Sequence, residues 1–274
     1  MFTPKDALPG FQFAADYFRI DITEAIEQAQ IQAVMAGCRS GAIPADCDLI
    51  QFGPPLLDAN GASIGPLSNI VNIRALAFNG AGYVFKGVDF TGSYLWRIND
   101  ANSVDLRLLA TRMLDQNFQP TPGAPTINVV GQTGTGNSFL SDNQPTSKWR
   151  ANLSATFSHG PISVTGQGTY ISSGVMDYLG AVPPDVPPAG GRTVSANSVA
   201  SFAMFSLSGS YMFSDWGPLK SFQVFGVVNN LLDKSPPTAS GGGAFGPSNG
   251  NGGTNPVFFD TQGRTYRLGI RTTF

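Results

Sequence analysis

Residues 149–158 alternate without a break. Trp149, Ala151, Leu153, Ala155 and Phe157 share one parity, and Arg150, Asn152, Ser154, Thr156 and Ser158 share the other. Only an extended chain, whose side chains point in turn to opposite faces, turns that period into one apolar and one polar face. The period returns three times: Val88, Phe90, Gly92, Tyr94 and Trp96; Phe205, Leu207, Gly209, Tyr211 and Phe213; Tyr266, Leu268, Ile270, Thr272 and Phe274. Weaker versions cover 11–22, 105–117, 162–173 and 219–231, and in the first the parity breaks around Tyr17 and Phe18, which reads as a bulge. About eight strands are predicted.

The connections alternate in length. Those near 98–102, 159–161 and 214–218 are short; those at 23–79, 118–147, 174–198 and 232–263 are long and rich in Gly, Pro, Ser, Asn and Thr. All short turns then lie at one end of the sheet and all long loops at the other, which is the asymmetry of outer-membrane β-barrels. Strands of about ten residues match a tilted crossing of the hydrocarbon core, and Trp96, Trp149, Tyr170, Tyr211, Trp216 and Phe274 near strand ends suit interfacial girdles. A soluble sandwich also alternates, but its outward face carries more charge. Here charged residues are only 12 %, about half the usual ~25 %. Much of the surface therefore need not face water. The expected fold is all-β: an antiparallel up-and-down transmembrane barrel with long extracellular loops and one short loop helix.

Composition also excludes functions. With 16 basic and 18 acidic residues the net charge is -2, which offers nucleic acid no electrostatic match. No apolar run is long enough for a transmembrane helix. The single His159 precludes a multi-His metal site, and its setting, His159-Gly160-Pro161, reads as a solvated turn. Gly131-Gln132-Thr133-Gly134-Thr135-Gly136-Asn137-Ser138 lacks the Lys of a phosphate loop and reads as an extracellular loop. The acidic residues are scattered, with no carboxylate pair of glycosidase type, so neither an enzyme nor a cofactor site is expected.

Residues 23–37 contain good helix formers, with Thr23 at a plausible N-cap, Glu24 in the first turn and Gly37 at the end, so a helix is predicted there. Cys38 and Cys47 follow, eight residues between them, in a loop-like segment. A disulfide suits an oxidising compartment; two unrelated thiols or a zinc pair are the other readings, the last short of ligands. Met1 to Asp6 show no charged region leading into an apolar one, so no signal peptide is read there.

The C-terminal region carries a further pattern. Asn229-Asn230-Leu231-Leu232-Asp233 is followed, after a variable stretch, by Asp260-Thr261-Gln262-Gly263-Arg264-Thr265-Tyr266-Arg267-Leu268-Gly269, and Phe274 closes the sequence. This resembles the end of TonB-dependent outer-membrane receptors, in which an N-L-x-D strand end, a loop and a D-x-x-G-R-x-Y-x-x-G last strand occur in that order. Leu8-Pro9-Gly10-Phe11 with 16–22, and Gly87-Val88-Asp89-Phe90, look like other strands of that family.

The resemblance implies that residues 1–274 are the C-terminal part of a barrel of 22 strands, without the plug domain and TonB-contacting box of the full receptor. It implies motif roles for Asn230, Leu231, Asp233, Asp260, Gly263 and Arg264. It also implies an insertion signal in Tyr266, Leu268, Ile270 and Phe274, read by the barrel assembly machinery. Arg267 and Arg271 fall on the opposite, lumen face; on the lipid face at mid-depth each would cost about 2–4 kcal/mol. The implied role is capture of a siderophore-bound iron, cobalamin or glycan for TonB-coupled uptake across the outer membrane of a Gram-negative bacterium, with outer-membrane lipid as surroundings. A fragment of this kind is not expected to transport alone. The competing readings are a free-standing eight-strand barrel acting as an adhesin or passive binder, and a soluble ligand-binding β protein.

Overall fold

The computed structural model describes residues 2–4, 8–28, 31–41, 44–65, 69–74, 77–118, 126–134, 146–178, 180–185, 192–193, 195–216, 219–239 and 253–273. Eight long strands form one sheet: β1 (Phe11–Gln28), β2 (Ala77–Asn99), β3 (Asn102–Phe118), β4 (Trp149–His159), β5 (Ile162–Ile171), β6 (Phe202–Trp216), β7 (Leu219–Asn229) and β8 (Thr265–Thr273). They lie in chain order, each antiparallel to the next. The all-β, up-and-down architecture expected from the alternation is present. Among the described residues the sheet is open: β1 pairs along its length with β2 and otherwise makes an isolated bridge from Phe13 to Phe2, and β8 pairs with β7.

The short connections are tight. Asn99 Oδ1 accepts from the backbone N–H groups of Ala101 and Asn102, at 3.1 and 2.9 Å, an Asx cap of the β2–β3 turn. Gly160, at φ 51°, turns β4 into β5 where His159 pairs with Ile162. His159 Nδ1 lies 2.7 Å from Asn102 Oδ1, so the histidine ties two neighbouring turns together.

Register decides the faces. Tracing partners across the sheet joins Phe13, Gly92, Leu108, Leu153, Gly168 and Phe205 on one face. The same face continues through Leu207, Val228 and Tyr266. No strand slips by one residue within this band, so eight apolar stripes merge into one surface. Leu153, Phe205 and Leu268 stand exposed on it at 52, 49 and 89 %. Aromatic rings cover cross-strand glycines at three places: Phe18 over Gly87, Phe205 over Gly168 and Phe225 over Gly269, each a direct pair. The ring fills the space the missing side chain leaves and pins the register.

Two expectations at β1 are corrected. The parity break at Tyr17 and Phe18 is no bulge, because pairing runs unshifted from Phe11 to Ile22. It marks the upper edge of the apolar band, above which the outer face carries Arg19 and Asp21, joined at 2.7 Å, and Lys86 with Asp115, also at 2.7 Å. The irregularity lies higher, between Ile22 and Ala25, where Glu24 adopts φ 56°. The helix expected over 23–37 is displaced: β1 runs on to Gln28, and α1 spans Ile31–Ser40. Residues 25–28 pair with the extended start of β2, Gln28 opposite Ala77, and this ladder overrides a helical propensity of a few tenths of a kcal/mol per residue. Gly41, at φ 70°, closes α1 with its N–H on Cys38 O.

The first long loop has its own small core. Val34, Cys38 and Ile50 are buried, with Cys47, Leu49, Phe52 and Ile73 packed against them. Cys38 and Cys47 are joined by a disulfide, and Ile50–Phe52 pairs with Ile70–Ile73.

Candidate functional site

The polar face is the chemically equipped one. On β4 it carries Arg150, Asn152, Ser154, Thr156 and Ser158; on β5 Ser163, Thr165, Gln167 and Thr169; on β6 Ser206, Ser208 and Ser210. On β7 and β8 it carries Ser221, Gln223, Arg267 and Arg271. Strand periodicity puts them there, since they alternate with the residues of the other face. Thr156 and Thr165 hydroxyls meet at 2.9 Å across β4 and β5. A concavity of about 270 Å³ opens on this face, lined by Ser163, Thr165, Ser208, Ser210, Gln223 and Arg271 with Phe225 at its wall.

Charge on this face is segregated. Asp16, Asp89 and Asp105 lie on β1–β3, where Thr111 Oγ1 donates to Asp89 at 2.6 Å and Arg107 is paired with Asp105 at 2.9 Å. Across β4–β8 the one acidic residue is Asp215, which has the opposite parity. The polar face of these five strands therefore holds three arginines and no carboxylate.

At the long-loop end three connections lock together on the polar side. Ile171, Val199, Phe202, Ala239 and Phe259 form a buried cluster, with Phe258 packed on it and Arg150 over the Phe258 ring at 5.8 Å. Asn255, 1 % exposed, donates to Thr133 O and Gly134 O at 3.1 and 3.3 Å. Those two residues donate in turn to Val175 O. Asn197 and Asp177 exchange bonds at 2.9 and 2.7 Å beside them. Loops β3–β4, β5–β6 and β7–β8 thus share one hydrogen-bonded body. A Cβ at Gly134 would strike Met176 and Ala239 backbone atoms, and one at Gly174 would strike Gly131 O, so both positions require glycine. The glycine-rich stretch at 131–138 serves, in its described part 131–134, as the crossing point of this body; 135–138 lie outside the described residues. Burial pushes the Tyr178 hydroxyl well above the usual tyrosine range, with Asp177 adding to it.

The C-terminal motif residues take structural positions. Asn230 is fully buried at φ 49°, and its side chain bonds Lys234 O and Lys234 N at 3.0 and 2.8 Å. Asp233, at φ 52°, accepts from the Arg264 N–H at 3.1 Å and faces its guanidinium at 3.9 Å. Gly263, at φ 73°, leaves room for Asp233. Asn230, Asp233, Gly263 and Arg264 form a clamp across the ends of the long β7–β8 connection. Asp260 stands apart, its carboxylate taking the Gln262 N–H at 2.8 Å. The Leu231 side chain is also outside the clamp, and its N–H bonds Phe205 O. Tyr266, Leu268 and Ile270 share the exposed apolar face of edge strand β8, at 68, 89 and 64 %; Phe274 lies outside the described residues.

Sequence reading gave no structural role to Asn255, Gly134, Gly174, Phe259 or Asp46. All sit in loops without period, and only the pairing of Gly with a short polar residue marked the first three. Asp46 is 4 % exposed with Oδ2 unpartnered, and burial raises its pKa.

Comparison with known proteins follows this geometry. Residues 5–231 match the family described as TonB dependent receptor-like, beta-barrel. That stretch takes in seven of the eight strands and ends at Leu231, before Asp233, Asp260, Gly263, Arg264 and β8. Among curated proteins none matches the sequence. A match over most of the chain, on an up-and-down sheet with one apolar and one polar face, places the protein in the TonB-dependent receptor-like β-barrel family.

Proposed function

We propose that residues 1–274 supply part of the wall and the ligand-capturing loops of an outer-membrane receptor for TonB-coupled uptake of a scarce nutrient: a siderophore–iron complex, cobalamin or a glycan. The observation that carries this is the uninterrupted apolar band across eight sequential strands, backed by a hydroxyl-rich face and a locked loop body. At ~3.3 Å per residue and a tilt near 40°, the eight-residue span from Trp149 to Phe157 covers roughly 20 Å of depth, close to the ~25 Å apolar band of such barrels.

The wall is incomplete in this reading. Among the described residues the outer edge of β1 carries only the isolated Phe2–Phe13 bridge and that of β8 pairs with no strand, and unpaired backbone is untenable in lipid. Further strands therefore complete the barrel, and this portion does not transport alone. A free-standing eight-strand barrel would need β1 paired to β8, and no such pairing is present among the described residues. Tyr266, Leu268, Ile270 and Phe274 would be read by the assembly machinery, and TonB would act on the complete receptor. The role is transport, with no reaction catalysed.

An epitope inserted at Asn60, in the exposed Asp58–Gly61 turn of the first long loop, tests this in the complete receptor, leader included, produced in a Gram-negative host. The protein should fractionate with outer membrane and bind antibody on intact cells. The same epitope at Asp100, in a short turn, should stay hidden until cells are opened. Recovery in the soluble fraction, or labelling of Asp100 on intact cells, contradicts the reading.

A further inference from the structure

We propose that the concavity beside Arg271 receives a small hydroxyl-rich carboxylic acid of the sugar-acid class. The proposal deepens the transport reading, since it takes the polar face as the lumen side. Three observations support it. First, Arg271 and Arg267 have no ion-pair partner among the described residues, whereas Arg107 on the same face is held by Asp105 and Arg150 stacks on Phe258. Second, the polar face of β4–β8 holds no carboxylate that could neutralise Arg271. A guanidinium so placed offers its planar donor fork to an incoming carboxylate. Third, the other polar side chains of the lining are Ser163, Thr165, Ser208, Ser210 and Gln223, each able to donate and accept, beside Val227 and two glycines. That donor–acceptor mixture suits a polyol, and the Phe225 wall gives a sugar ring an apolar surface. The volume of about 270 Å³ is at the lower end for small-ligand pockets, of order 300 Å³, and matches one monosaccharide unit in size.

The complete receptor is purified in detergent micelles and dialysed to equilibrium against labelled glucuronate. Neutral glucuronamide, glucose and N-acetyl-aspartate amide, a carboxylate without the polyol, serve as competitors. Glucuronate should bind at least tenfold more tightly than each of the other three. Arg271→Gln should lose at least tenfold, and Arg107→Gln, on the acidic half, should leave binding unchanged. Circular dichroism verifies folding of each variant. The glucuronamide comparison needs no variant, so it stands even where Arg271→Gln does not fold. Equal binding of glucuronate and glucuronamide overturns the charge recognition. Equal competition by N-acetyl-aspartate amide overturns the sugar-acid class and points to an acidic polypeptide side chain as the natural occupant. Wild-type binding by Arg271→Gln overturns the site. Fractionation and epitope exposure are read without ligand, so failure of the transport reading is seen separately.

Discussion

Replacing Leu153 by Arg is the sharpest test of the two-faced sheet. Leu153 lies on the apolar face, 52 % exposed, opposite Leu108 and Gly168. It lies four positions from Trp149 and four from Phe157, the aromatic ends of its stripe. At ~3.3 Å per residue and a tilt near 40°, each end is roughly 10 Å away in depth, which puts Leu153 at the centre of the band. An arginine at the midplane of a membrane barrel costs about 2–4 kcal/mol, a shift of roughly 30-fold or more in the folding equilibrium. Two companions set the scale. Asn152→Arg, one residue away on the polar face between Leu109 and Thr169, should cost under about 1 kcal/mol. Ile162→Arg, on the apolar face beside the short turn, should cost about 0–1 kcal/mol. Urea titration of the complete receptor in phosphatidylcholine vesicles, followed by tryptophan fluorescence, gives all three. A protein core would penalise each site by its burial, and Ile162 at 38 % is less exposed than Leu153 at 52 %, so Ile162→Arg would then cost at least as much. Equal costs at those two sites, or at 152 and 153, refute the reasoning.

Asn255→Ala should strand two carbonyls, Thr133 O and Gly134 O, at about 1–3 kcal/mol; hydrogen exchange at the Thr133 and Gly134 amides should accelerate, and unchanged exchange removes Asn255 from its holding role. Asp46 has a folded-state pKa raised by burial. The loop core is therefore most stable below the unfolded value near ~3.9 and loses stability as pH rises through the window up to the raised value. Asp46→Asn should abolish that loss and stabilise the loop at neutral pH, read as protection factors over 44–49 from acid to neutral. Cys38→Ser removes a crosslink of sequence separation 9, worth about 3 kcal/mol in the chain-entropy account; protease should then cut within 31–52, and no change against the reduced wild type would be expected.

The strands were legible because their signal is local. Alternation such as that of 149–158 needs no partner to be seen, and the run of short and long connections orders the strands as an antiparallel meander. The residues flanking the family motif were legible as a pattern, but their role was not. Asn230, Asp233, Gly263 and Arg264 meet only once β7 and β8 pair and bring their ends together. The helix at 23–37 misled because propensity is local, while the partner that drew 25–28 into a strand starts some fifty residues later at Ala77.

The sequence by itself determined the fold class, the number of long strands and which side chains share a face, since a period of two is a property of the extended backbone alone. Tertiary structure decided how far β1 runs, where α1 begins, and how Gly134, Val175 and Asn255 come to share one body. It also decided which arginines keep a carboxylate and which are left without one. Those outcomes depend on groups far apart in the chain competing for the same backbone and the same charge, and no local pattern records who wins.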